Sequence, residues 1–125
     1  MKIINQKPLI KVVISKPNSK TLLKEYNALI DTGATKTFIS KKIVDELNLD
    51  KGLSGVMSDA SGNETKIHFY TLNLLLYEHS QSIKLECGIF PGRKECDVII
   101  GMDIISYGKL LIENNELSFF IDTLK

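Results

Sequence analysis

The apolar run Ala28-Leu29-Ile30 ends in Asp31, followed by Thr32, Gly33 and Ala34. A carboxylate at the end of a buried-type strand is costly unless it is hydrogen-bonded or shared. Gly33 has no side chain, so the backbone can turn sharply there, and its N–H can approach the carboxylate or another chain closely. The Thr32 hydroxyl can both donate and accept. A small, polar, glycine-turned loop of this kind suits the close approach of two identical loops, and the chemistry it offers is that of a carboxylate set beside its own twin. A plain turn after a strand is the bland alternative. An Asp-Thr-Gly triplet arises by chance in a chain of this length only about a few per cent of the time, which favours a site.

A second feature lies roughly seventy residues further on, in Asp97-Val98-Ile99-Ile100-Gly101 and the Met102-Asp103-Ile104-Ile105 that follows. Other chemistries find less support. Cys87 and Cys96, with His68 and His79, have no metal-ligand spacing, so no metal site is expected, and the two cysteines read as reduced core thiols. Gly52-Leu53-Ser54-Gly55 lacks the spacing of a nucleophile elbow, and no phosphate-cradling Gly-Lys-Ser motif occurs.

The 125 residues carry a net charge of +1 with acids and bases interspersed, the balance of one ordinary globular domain over residues 1–125. Nucleic acid and membrane are not expected as partners. Lys7, Pro8 and Lys11 interrupt the apolar N-terminal stretch, and a chain opening on Met without a leader reads as cytoplasmic.

The elements that would position Asp31 are mostly strands. Pro8 to Ile14 opens, Pro17 to Lys20 turns, and Leu22 to Ile30 returns with a fully apolar end, the pattern of a strand buried on both faces. Thr35 to Ile39 reads as a short strand. Ser40 then caps a helix with Ile43, Val44 and Leu47 on one face, ended by Asp50-Lys51-Gly52. A hairpin follows: Ser54 to Ser58, a polar turn from Asp59 to Asn63, and Glu64 to Tyr77. Ser82 to Phe90 and Asp97 to Gly101 are further strands, Met102 to Gly108 holds one helical turn, and Lys109 to Ile121 is a last hairpin about Asn114-Asn115. Phe119 and Phe120 both read as core. The fold class expected is all-β, with one or two short helices.

Leu29 to Ser40, the hairpin from Gly55 to Phe69, and Cys96 to Ile105 together resemble the retropepsin-like aspartic proteases, the single-domain, homodimeric branch of the aspartic peptidases. The likeness spans roughly residues 8 to 106. It implies a closed, β-barrel-like half-protease. It places the catalytic carboxylate on Asp31, a cross-dimer hydroxyl on Thr32, and the turn glycine on Gly33. Ala34 falls where pepsin-like relatives usually have Ser or Thr; without that hydroxyl the activity optimum should lie closer to neutral. Ser58, Asp59, Ala60, Ser61 and Gly62 correspond to the flap tip. Ile99, Ile100 and Gly101 correspond to a strand that braces the aspartate strand, and Asp103 to a structural polar residue opening a short helix.

The two-lobed relatives carry the aspartate motif twice. This chain carries it once, and Asp122-Thr123 lacks the glycine. The resemblance therefore implies a homodimer, an extended peptide or protein substrate, and no cofactor. The reaction implied is peptide hydrolysis by two Asp31 side chains sharing a proton. The alternative is a catalytically silent dimer of the same fold that binds peptides or serves as a scaffold.

Overall fold

The computed structural model describes residues 7–58, 60–76 and 82–121; Asp59, Tyr77, His79, Asp122 and Thr123 lie outside them. Among the described residues nine strands and two short helices follow one another: β1 (Leu9–Ser15), β2 (Leu23–Ile30), β3 (Phe38–Ser40), α1 (Lys41–Leu47), β4 (Lys51–Ser58), β5 (Glu64–Leu76), β6 (Ser82–Phe90), β7 (Val98–Ile100), α2 (Met102–Ile105), β8 (Gly108–Glu113) and β9 (Glu116–Ile121). Strands β1-β2-β7-β3-β6-β5 are hydrogen-bonded in that order, and β5 pairs back onto β1. Six strands thus close a barrel, which removes the free edges that invite aggregation.

The period of two along each strand explains the closure. Ile10, Val12 and Ile14 of β1 and Tyr70, Leu72, Leu74 and Leu76 of β5 are all buried, while their neighbours in sequence are more exposed. Each such side chain contributes about 1.5–3 kcal/mol relative to exposure. β7 is only three residues long, yet all three are buried, because β2 runs parallel on one side and β3 antiparallel on the other.

β5 is the longest strand and serves two structures. Its second half pairs with β6 and β1 inside the barrel, while Glu64 to Tyr70 pairs with β4. Among the described residues β4 pairs with no other strand, so β4 and the first half of β5 form a hairpin leaving the barrel. The final hairpin, β8–β9, is a separate two-stranded sheet. Asn114 and Asn115 turn it with φ of 51° and 63°, as a two-residue type I′ turn requires. Leu117 and Phe119 point into the barrel core.

Four local expectations are corrected. β3 begins at Phe38 rather than Thr35, because the Thr37 N–H donates to a side chain instead of a ladder partner. α1 ends earlier than Asp50: Asn48 adopts the left-handed conformation, φ 50°, and the Leu49 N–H donates to the Val44 carbonyl. Ser40 stands at the N-cap position but makes no capping bond; its hydroxyl donates to Asp97 instead. Phe120 is not core: it is 44% exposed, whereas Phe119 one residue earlier is 3% exposed.

Both cysteines are free and buried. Burial pushes the Cys87 thiol well above its ordinary value of 9.0; the charge of Asp103 adds to the shift and Lys36 opposes it. Cys96 is raised as well, chiefly by burial. A folded thiol that holds its proton more tightly than the unfolded one supports stability below the unfolded value and loses that support as pH rises past it. Urea midpoints should therefore hold steady to about pH 8.5 and then fall, one such thiol contributing up to ~1.4 kcal/mol per pH unit. Cys87→Ala should flatten the alkaline decline, and an unchanged decline would rule this origin out.

No helix among the described residues is long and apolar enough to cross a membrane.

Candidate active site

β2 arrives at Asp31 held on both sides. The Ile30 N–H donates to the Pro8 carbonyl and the Asp31 N–H to the Ile100 carbonyl, each at 2.9 Å. The Ala34 N–H then donates to the Asp31 carbonyl at 3.1 Å, closing a tight four-residue turn. Within that turn the Gly33 N–H donates to Asp31 Oδ1 at 2.9 Å, so one carboxylate oxygen is fixed by the backbone that follows it. A Cβ at Gly33 would stand 3.2 Å from that same oxygen. The backbone at Gly33 is not left-handed. Glycine there eases the close approach of the carboxylate rather than serving an unusual turn angle.

The segment after the turn is fastened to the β7–α2 junction. The Met102 N–H donates to the Ala34 carbonyl at 2.8 Å and the Asp103 N–H to the Thr35 carbonyl at 3.2 Å. Thr37 is fully buried; its N–H donates to Asp103 Oδ2 at 3.0 Å and its hydroxyl to Asp103 Oδ1 at 2.7 Å. The same hydroxyl accepts from the Gly101 N–H at 3.2 Å. This is a closed exchange of donors and acceptors, and a buried network of this kind is firm only when every member is satisfied. Thr37 is the site-supporting residue that sequence reasoning missed. Its only sequence signal is a hydroxyl placed directly before the apolar pair Phe38-Ile39, and its partner lies 66 positions away.

Ile99 and Ile100 lie beside Leu29 and Ile30 in the parallel β2–β7 pair. Gly101 follows where its backbone crowds against the Ala34–Lys36 segment. A Cβ there would fall 2.4 Å from the Lys36 carbonyl oxygen and 2.8 Å from that of Ala34. The structure thus brings Asp31, Thr32, Gly33, Ala34, Ile99, Ile100 and Gly101 into one place.

Ser58, Ala60, Ser61 and Gly62 stand apart from that loop in sequence, at the tip of the β4–β5 hairpin, and are all exposed. Gly62 has φ 87° with open space around it, the conformation a hairpin tip needs and glycine supplies at no steric cost. Asp59 belongs to the same tip but lies outside the described residues.

Asp31 itself is partly exposed, and Thr32 and Gly33 beside it are open to solvent. Met102, bonded through its N–H to the loop, is 37% exposed. Among the described residues no group of three or more His, Cys, Asp or Glu could hold a metal ion. The loop therefore presents one backbone-held carboxylate, flanked by a hydroxyl and an exposed methionine, on an open face.

A sequence family described as "gag-polyprotein putative aspartyl protease" matches residues 23–107. Among solved structures, the chain is similar to a retropepsin-like aspartic protease from Rickettsia conorii, at 18% identity and a TM-score of 0.62, covering 95% of each chain. It is also similar to the EIAV protease complexed with the inhibitor HBY-793, at 16% identity and a TM-score of 0.54, covering 85% of this chain and 91% of that one. The retroviral protease-like domain of Ddi1 from Leishmania major is a third, at 15% identity and a TM-score of 0.54, covering 94% of this chain and 90% of that one. Likeness at such identities is likeness of fold. No curated protein matches by sequence.

Proposed function

Because the chain belongs to the gag-polyprotein aspartyl protease family, we propose that it is an aspartic endopeptidase whose active unit is a dimer, each copy supplying one Asp31. The observation that carries this reading is the open loop. A carboxylate fixed by Gly33 N–H stands on a face with Thr32, Gly33 and Met102 exposed, and the motif occurs once in the chain. A two-fold axis through that face would set two copies of the loop against each other, the same patch serving both partners.

Two carboxylates about 3 Å apart do not both ionise, so the pair holds one proton. The ionised Asp31 takes a proton from a bound water while the water oxygen bonds to the peptide carbonyl carbon. The other Asp31 gives its proton to the carbonyl oxygen, leaving a neutral diol. Collapse of the diol breaks the C–N bond as a proton passes to the leaving nitrogen, and the pair returns to its single-proton state. The Thr32 hydroxyl is suited to bond the facing loop. The β4–β5 hairpin, with a turn of small and polar residues at its tip, is suited to lie over an extended peptide and pair with its backbone.

Mixing tests the shared site. Wild type and Asp31→Asn chains in equal amounts, allowed to exchange, should form about a quarter wild-type pairs, so the rate from a fixed amount of wild type drops to roughly half. A rate unaffected by the added variant would mean that each chain works alone. A wild type that forms dimers yet cleaves nothing in a mixed peptide library would leave a peptide-binding module in place of an enzyme.

A further inference from the structure

Among the described residues, a side-chain contact between the aspartate loop and the β4–β5 hairpin is not used by the proposed chemistry. Lys36 follows the Asp31 turn, and its backbone is pinned: its carbonyl packs against Gly101, while its neighbours on both sides are bonded to α2 and Asp103. From that fixed point its ammonium reaches over the Phe69 ring, Nζ lying 4.6 Å from the ring centroid. Among the described residues Lys36 forms no ion pair, so the ring is its electrostatic partner.

Phe69 lies on the return arm of the hairpin, and its ring leans across to the outgoing arm. It occupies the space above Gly55, where a Cβ would stand 2.5 Å from Cε2. One ring therefore touches both arms at the root of the hairpin and is capped by a cation from the loop that bears Asp31. A second ring sits in a similar way nearby: Phe38 of β3 covers Gly88 of β6, where a Cβ would lie 2.8 Å from Cε1 and 3.7 Å from Ile67 Cδ1 of the hairpin. Gly55 in the hairpin and Gly88 in the barrel leave room for rings that a side chain would push away.

We propose that Lys36 and Phe69 are positioning residues that latch the root of the β4–β5 hairpin to the aspartate loop through this cation–ring contact over Gly55. What the hairpin does for substrate rests on the function proposed above; the contact and its effect on the hairpin do not. A cation over an aromatic face at a partly exposed site is worth a factor of about three to five in an equilibrium. Opening of the hairpin from its root should therefore change by that factor when the cation or the ring face is removed.

The test is amide hydrogen exchange without substrate, paired with steady-state cleavage of an extended peptide. Lys36→Met, which keeps the stem and removes the charge, should speed exchange in β4 and in the first half of β5 by about three- to fivefold, with β1 and β2 unchanged. Phe69→Leu should do the same, and Lys36→Arg should restore the wild-type pattern. In the cleavage assay Lys36→Met should raise KM by a similar factor and leave kcat within about twofold, the mark of lost substrate clamping rather than lost chemistry. Hairpin exchange that is unchanged in both Lys36→Met and Phe69→Leu overturns the proposal. Faster hairpin exchange in a protein that cleaves no peptide would support the latch while sinking the enzyme reading, so the two stand or fall separately.

Discussion

Replacing Asp31 by Asn is expected to reduce peptide hydrolysis by about a thousandfold or more while leaving the fold intact. Asn has the size of Asp, and its side-chain oxygen can keep accepting from the Gly33 N–H that Asp31 Oδ1 accepts at 2.9 Å. The loop around it is set by backbone bonds, from Asp31 N–H to Ile100 and from Ala34 N–H to Asp31, which the substitution does not touch. The side chain is partly exposed, so thermal stability should change by no more than about 1 kcal/mol. What disappears is the proton acceptor. An amide cannot take a proton from water at working pH, and general acid–base groups are commonly worth a factor of about 10²–10⁴. In a dimer both copies lose the group at once, so neither half of the site can compensate. The measurement is cleavage of a mixed peptide library between pH 4 and 7, with unfolding curves for both proteins. Hydrolysis at the wild-type rate by a folded Asp31→Asn protein would remove Asp31 from the chemistry altogether.

The parts of this molecule legible in sequence are those fixed by local chemistry. Ile10, Val12 and Ile14 alternate, and β1 is a strand; Val98-Ile99-Ile100 is unbroken, and β7 is buried on both faces. Asn114-Asn115 is a turn because asparagine tolerates the left-handed conformation that both residues adopt. The Gly33 bond to Asp31 is two residues long and could be anticipated from a glycine after a carboxylate. Contacts between distant parts of the chain were not legible. Thr37 looked like the third residue of a strand, but Asp103 takes its donors, and β3 starts one residue later. Phe120 looked like core beside Phe119, but a strand alternates, and only one of two adjacent rings can face inward. The closure of β1 onto β5 and the seat of Phe69 on Gly55 leave no local trace, since each depends on where the other segment ends up.

The second large effect expected is from Gly101→Ala, which should cost at least about 3 kcal/mol and lower the melting temperature by roughly 10 °C or more. A methyl group there would meet the Lys36 carbonyl oxygen at 2.4 Å, the Lys36 carbonyl carbon at 2.6 Å and the Ala34 carbonyl oxygen at 2.8 Å. All three are backbone atoms, so no side chain can rotate out of the way. The loop after Asp31 must part from the β7–α2 junction, and the bonds between them are strained together: Met102 N–H to Ala34, Asp103 N–H to Thr35, and Gly101 N–H to the Thr37 hydroxyl. A hydroxyl buried with a broken network adds its own penalty of about 1–3 kcal/mol. The same substitution at Gly62 is the natural control. There nothing lies within 4 Å, so only the left-handed backbone, φ 87°, resists alanine, at a cost of about 1 kcal/mol. Matched unfolding curves for the two variants therefore separate crowding from backbone strain. Equal losses at both glycines would show that close approach at Gly101 is not what holds the aspartate loop in place.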